Sequence, residues 1–153
     1  MNNKIEITKL GFTVIELIIV ISIVGIVAAA SFAMFSENRN KAVLQNAQAS
    51  VINALERARS RAATGVGTTT GVIHGVIIDV AGRQIINFRN DGSGTTTDAT
   101  TTLPANISII GSNQEITFNR LSATSSDATI TIENTITGDA TTVSVTEDGI
   151  ISY

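Results

Sequence analysis

The 153-residue chain contains no cysteine, one proline and one histidine. The lack of cysteine excludes disulfide bonds, thiolate metal sites and cysteine nucleophiles, but it does not identify a compartment, because many exported proteins lack disulfides. Five Phe and one Tyr leave little aromatic surface for stacking against nucleic-acid bases. The composition therefore excludes cysteine-based catalysis and thiolate metal binding, and it argues against binding of nucleic acid through base stacking.

Charge is distributed unevenly along the chain. Residues 37–64 carry five basic and two acidic side chains, a net charge of +3. Residues 65–153 carry three basic and nine acidic side chains, a net charge of −6. Because an acidic surface repels the phosphate backbone, general binding of nucleic acid by the C-terminal part is not expected.

A long apolar run lies near the N-terminus. Residues 17–36 form an uncharged stretch of 20 residues. As a helix this stretch would be about 30 Å long, which is enough to cross the hydrocarbon core of a bilayer. Lys4 and Lys9 precede the run, so we expect this end to stay in the cytoplasm and the C-terminal part to lie outside.

The helical pattern continues beyond the apolar run. Apolar residues recur at steps of three and four, at Val43, Leu44, Ala47, Val51, Ala54, Leu55, Ala58 and Ala62. This spacing predicts an apolar stripe on an otherwise polar helix. We therefore predict one continuous helix over about residues 12–63, ended by Gly65 and Gly67.

After Gly71 the period of the apolar residues changes to two. Short β-branched runs separated by turn residues predict strands. Asp148 and Gly149 are predicted to be the central pair of a hairpin turn, and the low-complexity segment 90–102 to be a mobile loop. The predicted fold class is α+β, with the second half of a long N-terminal helix packed on a small antiparallel β-sheet head.

Glu16 is the one charged residue between Gly11 and Ser31. An ionised carboxylate deep in a bilayer costs about 2.5 kcal/mol or more unless a cation partners it, and the segment offers no Lys or Arg. Cleavage between Gly11 and Phe12 would create an α-amino group about one helical turn from Glu16, and a neighbouring copy could supply the same group. We interpret Glu16 as a residue that fixes the register of an assembly.

Residues 11–17, GFTVIEL, resemble the class III signal of type IV pilins and type II secretion pseudopilins. The resemblance implies that a prepilin peptidase cleaves after Gly11 on the cytoplasmic side and N-methylates Phe12. It also implies that Glu16 pairs with the Phe12 amine of a neighbouring subunit as the helix passes from the membrane into a filament. Gly11 would be required, because the peptidase accepts almost nothing else at that position.

The same resemblance implies the partners and the location of the chain. The expected partners are other pilin or pseudopilin subunits, the prepilin peptidase, an inner-membrane assembly platform, and membrane lipid before assembly. The expected location is the bacterial inner membrane, crossed once with the head outside the cytoplasm, and a cell-envelope filament after assembly. The implied segments are a leader peptide at 1–11, a transmembrane and filament-core helix at 12–36, an amphipathic continuation of the helix at 37–64 and a β-rich head at 65–153.

Three further segments, 51–65, 116–132 and 141–153, look like the later parts of minor pseudopilins of the GspH/FimT type. Two departures from major pilins also bear on the subtype. The helix has no proline where major pilins kink, and the chain has no cysteine pair to close a C-terminal loop. Both omissions favour a minor pilin or pseudopilin.

Two alternatives to a minor filament subunit remain open from the residues. The alanines at 28–30 resemble the A-x-A site of a signal peptidase, and cleavage there would release a soluble β-domain binding protein that begins at Ser31. A DNA-uptake pilin is the second alternative, because Arg57, Arg59 and Arg61 lie near the end of the helix. Since Arg57 and Arg61 share a face that Arg59 does not, we interpret all three as capping the helix dipole, and nucleic acid is not an expected partner.

The remaining candidate sites are weaker. His74, alone in a strand, is expected to be structural. Residues 65–71, GVGTTTG, lack the Gly-Lys-Ser/Thr ending of a phosphate-binding loop. Asp91 and Asp98 could hold calcium in a loop, although Asp-Gly is first of all turn chemistry. No set of residues predicts a catalytic site, so we expect no enzyme activity, cofactor or metal.

Overall fold

The computed structural model describes residues 12–65, 72–119 and 127–153. Helix α1 spans Val14–Thr64, which confirms the continuous helix predicted from the sequence. Gly65 ends it with a φ of 62°, as predicted, whereas Gly67 lies outside the described residues. The chain divides into two compact units, Met1–Asn38 and Arg39–Tyr153.

The described part of the first unit is the apolar half of α1. Every large apolar side chain between Phe12 and Phe35 is exposed to solvent in the isolated chain. The helix is long and apolar enough to cross a membrane. Two of its hydroxyl groups are satisfied within the helix, since Ser22 Oγ donates to Ile18 O at 2.7 Å and Ser31 Oγ donates to Val27 O at 2.8 Å. Such internal bonds suit a segment that lies in lipid.

Among the described residues, the second unit contains eight strands in two antiparallel sheets of four. Sheet 1 has the order β3-β2-β1-β5 and sheet 2 the order β4-β6-β7-β8. The strands are β1 Ile73–Asp79, β2 Gln84–Asn90, β3 Thr95–Thr102, β4 Ile107–Ile110, β5 Gln114–Phe118, β6 Ala128–Asn134, β7 Ala140–Val145 and β8 Ile151–Ser152. The predicted α+β architecture is confirmed, with the strands divided between two sheets rather than gathered in one.

The core of the second unit lies between α1 and the two sheets. The predicted apolar stripe of the helix is buried from Leu44 to Ala62. It forms one cluster with side chains from both sheets, including Val76 and Ile78 from sheet 1 and Ile130 and Ile132 from sheet 2. Complete burial of such a side chain stabilises the fold by about 1.5–3 kcal/mol. The head is therefore built around the second half of the helix.

Two local predictions were wrong. Residues 95–102 form strand β3 rather than a mobile loop, because β-branched threonines favour extended backbone and this segment pairs along the whole of β2. The β7–β8 hairpin is present, but Gly149 N donates to Thr146 O, so its central residues are Glu147 and Asp148. Gly149 follows them with a φ of 73°, the left-handed position of a three-residue hairpin loop.

Candidate assembly site

The start of α1 is fixed by a reciprocal capping pair. Glu16 Oε2 accepts hydrogen bonds from Thr13 N at 3.3 Å and from Thr13 Oγ1 at 3.4 Å. In return, Glu16 N donates to Thr13 Oγ1 at 3.3 Å. Thr13 precedes the first helical residue and Glu16 is the third, which is the spacing of a capping box. The carboxylate also faces the positive end of the helix dipole.

This pair gives Glu16 a local role that the sequence analysis missed. The Thr-x-x-Glu pattern of residues 13–16 is the sequence signal for this pair. Both bonds that the carboxylate accepts fall on Oε2, and among the described residues Oε1 accepts none. A carboxylate can accept about four hydrogen bonds, so Oε1 remains available to a cation from another chain.

The surroundings of Glu16 are apolar and uncovered in the isolated chain. Phe12, Val14, Ile15 and Leu17 are all more than half exposed. Phe12 lies before the first helical residue, so the bond that precedes it is outside α1, whereas Gly11 falls outside the described residues. The predicted processing residue Phe12 and the predicted assembly residue Glu16 are therefore brought together at one end of an exposed apolar helix.

The alternative cleavage site lies in a different setting. The alanines at 28–30 and Ser31 are within the continuous helix α1, and the Ser31 hydroxyl is bonded to the turn before it. Cleavage before Ser31 would therefore require local unwinding of α1, whereas the bond before Phe12 precedes the helix.

The basic residues at the end of the helix have different surroundings. Arg61 forms an ion pair with Asp98 of β3. The register of β3 against β2 shifts beside Asp98, because Asn87 faces Ala99 and Phe88 faces Thr97. Asp98 is thus the extra residue of a β-bulge, a device that re-aims side chains. This contact gives Arg61 a structural partner that the sequence could not show.

A polar groove lies beside that ion pair, between α1 and the β2–β3 edge of sheet 1. Its volume is about 170 Å³, and its lining is Ser50, Asn53, Ala54, Arg57, Asn87 and Thr101. Asn87 Nδ2 closes the base of the groove by donating to Ala54 O at 2.8 Å. Arg57 is exposed at the groove, and its side chain forms no ion pair or hydrogen bond among the described residues.

The structure adds no support for the weaker candidate sites, which are the calcium loop, His74 and the glycine-rich segment. Asp98 forms an ion pair with Arg61, and Asp91 Oδ1 accepts a bond from Ser93 N at 2.9 Å, which is the turn chemistry expected of this segment. The described residues contain no group of three or more His, Cys, Asp and Glu side chains that could hold a metal. His74 is buried in β1 opposite Phe118, a structural position. The glycine-rich segment 66–71 lies outside the described residues.

Residues 8–32 match the family model of the prokaryotic N-terminal methylation motif, which is type IV pilin-like. The motif indicates a subunit that is processed as a prepilin, and its family is structural rather than enzymatic. It also implies assembly with other pilin subunits. No curated protein and no solved structure matches the chain. The match ends at Phe32 and therefore leaves the second half of α1 and the β-rich unit unassigned.

Proposed function

We propose that the mature chain, residues 12–153, is a structural subunit of a type IV pilus or of a type II secretion-like filament. The observation that carries this proposal is the coincidence of the methylation motif with the N-terminal part of α1, where every large apolar side chain up to Phe35 is exposed. A helix with so much apolar surface is unstable in water and requires a cover. Lipid supplies that cover before assembly, and the helices of other subunits supply it in the filament.

The proposal gives each residue of the site a role. The prepilin peptidase cleaves between Gly11 and Phe12 and methylates the new amine. The carboxylate of Glu16 then binds the Phe12 amine of a neighbouring subunit through Oε1, while Thr13 holds Oε2. Pairing offsets the cost of about 2.5 kcal/mol or more for a charged carboxylate in an apolar environment. A subunit in the wrong register leaves both charges unpaired, so the pair selects one register.

We further propose that the subunit is a minor pilin or pseudopilin of the GspH/FimT type. The absence of cysteine and the absence of proline from α1 support this assignment. The segments 51–65, 116–132 and 141–153 carry the resemblance.

The proposed topology follows from charge and length. Lys4 and Lys9 hold the leader in the cytoplasm, the apolar helix crosses the inner membrane once, and residues 37–153 lie outside the cytoplasm. The peptidase acts at the cytoplasmic face, and an assembly platform in the same membrane moves the processed subunit into the filament.

The mass of the mature N-terminal peptide tests the proposal. Protein is isolated from membranes of cells that carry a prepilin peptidase, and we expect the chain to begin at methylated Phe12. Gly11→Val should block cleavage and leave the leader attached. Gly25→Ala is the matched control, because a Cβ there meets nothing within 4 Å. A mature chain that begins at Ser31 would refute the proposal and favour a secreted β-domain binding protein.

A further inference from the structure

Basic side chains are unevenly distributed within the described part of the second unit. Residues 127–153, which form most of sheet 2, contain five acidic side chains and no Lys or Arg. The acidic residues are Asp127, Glu133, Asp139, Glu147 and Asp148. The Lys and Arg residues of the described part of this unit lie on α1 or in the β1–β2 hairpin. Sheet 2 is therefore an acidic surface, and the part of α1 in this unit, with five basic side chains against Glu56, is a basic one.

The basic surface centres on Arg57 in the polar groove. The neighbouring Arg61 is neutralised by Asp98, but Arg57 has no charged partner among the described residues. The guanidinium offers five N–H donors, and the Asn53 amide and Thr101 hydroxyl lie in the same groove. A cation surrounded by further donors suits a carboxylate, which accepts several hydrogen bonds at once.

The acidic surface centres on the tip of the β7–β8 hairpin. Glu147 and Asp148 are both exposed at this tip. The turn is held by two short bonds, from Gly149 N to Thr146 O and from Glu147 N to Asp127 Oδ1, each 2.7 Å long. Two adjacent carboxylates are thus presented on a fixed turn, so little conformational entropy is lost when they bind.

The two surfaces lie on different sides of sheet 1. Arg57 lies beside β2 and β3, at one edge of that sheet, and β5 forms the opposite edge. Sheet 2 adjoins β5, since Gln114 Nε2 donates to Thr129 O at 3.1 Å. Three strand spacings separate β3 from β5, which amounts to about 14 Å. Within one chain Arg57 and the hairpin tip do not pair, since the Arg57 side chain has no ion-pair partner among the described residues.

We propose that the tip formed by Glu147 and Asp148 docks into the Arg57 groove of a second copy of this chain. The proposal rests on the filament role proposed above and adds a head-to-head contact to it. The contact is heterologous, so a pair of copies is left with one free groove on one copy and one free tip on the other. Contacts of this kind continue from copy to copy and generate open filaments. The opposite charges of the groove and the tip fix the relative orientation of the two copies and raise their association rate.

Cross-linking of the full chain in membranes tests this contact. Since the chain has no cysteine, two introduced thiols give an unambiguous product. One chain carries Asn53→Cys in the groove, and a co-expressed chain carries Ile150→Cys beside the tip, so that both interacting charges are kept. A short bismaleimide should join the two chains into a heterodimer, and each chain expressed alone should not give this product.

Charge variants decide whether the Arg57 pairing drives the contact. Arg57→Glu should lower the heterodimer yield roughly tenfold, as expected for a close charge pair. Adding Asp148→Arg to the co-expressed chain should restore the yield. Arg59→Glu is the matched control, because it carries the same charge change off the groove and should leave the yield unchanged. Washing in 1 M salt, where the screening length is about 3 Å, should also lower the yield.

The outcomes separate this contact from the filament role. An absent heterodimer, or a yield that Arg57→Glu leaves unchanged, would overturn the contact while the Phe12 N-terminus still supported a filament subunit. The contact would also be overturned if the thiol beside the tip were cross-linked to a different protein and never to a second copy of this chain. A mature chain that does not begin at Phe12 would refute the filament role, whatever the cross-linking shows.

Discussion

Glu16 and Thr13 form a reciprocal capping pair in which one carboxylate oxygen, Oε2, accepts both bonds. The arrangement answers how a chain can keep a carboxylate at the start of an apolar run. Within one subunit the charge is held by backbone and hydroxyl donors, and the second oxygen is left for another chain. The local bond and the proposed bond between subunits are therefore compatible, and different substitutions separate them.

Glu16→Ala should be cleaved and inserted into the membrane but should fail to enter filaments, because the neighbouring Phe12 amine loses its partner. Glu16→Gln sharpens the test. Glutamine can complete a capping box but carries no charge, so the helix start should survive while assembly fails. Filament fractions measured by sedimentation and immunoblotting check both variants. Normal incorporation of Glu16→Gln would show that the charge is not needed for assembly.

Thr13→Val should loosen the start of α1, because the hydroxyl that caps Glu16 N is lost while the side chain keeps its shape. Loss of such a cap costs about 1 kcal/mol. Hydrogen exchange of the peptide over residues 13–20, in detergent, should show roughly fivefold faster exchange, which corresponds to that cost. Thr13→Ser keeps the hydroxyl and should exchange as the parent does. Equal exchange in the parent and in both variants would show that the Thr13 hydroxyl does not cap the helix.

Helix α1 was predictable because its apolar residues repeat at steps of three and four over a long segment. The stripe from Val43 to Ala62 repeats over several turns, so its buried face could be read from spacing alone. The capping pair is equally predictable from the sequence, because a threonine followed three residues later by a glutamate at the start of an apolar run is the pattern of a capping box.

The division into two sheets could not be predicted from the sequence. It depends on pairings between strands that are not neighbours in the chain, β1 with β5 and β4 with β6. Strand β3 was missed for a different reason. Its threonine repeat has no apolar alternation, and the strand exists because β2 supplies a complete set of backbone partners. The ion pair of Arg61 depends on the bulge at Asp98, which only the strand register reveals.

Gly75→Ala should destabilise the head, because a Cβ at this central position of β1 would lie 2.6 Å from the Phe88 ring and 2.7 Å from Ile116 O. The ring and the backbone would both have to move, at a cost of about 1–3 kcal/mol. Thermal unfolding followed by far-ultraviolet circular dichroism should show a midpoint several degrees lower. Gly94→Ala, with nothing within 4 Å of its Cβ, is the control. Equal midpoints for the two variants would contradict this packing.

The ion pair between Arg61 and Asp98 should contribute modestly to stability, because the Arg61 side chain is 39% exposed. Pairs of this kind are worth about 0.2–1 kcal/mol. A double-mutant cycle with Arg61→Gln and Asp98→Asn, measured by urea unfolding, should give a coupling energy in that range. A coupling energy of zero would mean that the bulge at Asp98 has no energetic link to the helix.

Asn134→Ala should cost more than loss of that ion pair, because Asn134 is fully buried and joins α1 to sheet 2. Its Nδ2 donates to Asn40 O at 3.2 Å, and its Oδ1 accepts from Ile136 N at 3.0 Å. Removing the amide leaves both backbone groups without these partners, at about 1–3 kcal/mol for a buried group. Asn53→Ala, at an exposed position on α1, is the control in urea unfolding. If the two variants unfold at the same urea concentration, Asn134 does not hold the helix against sheet 2.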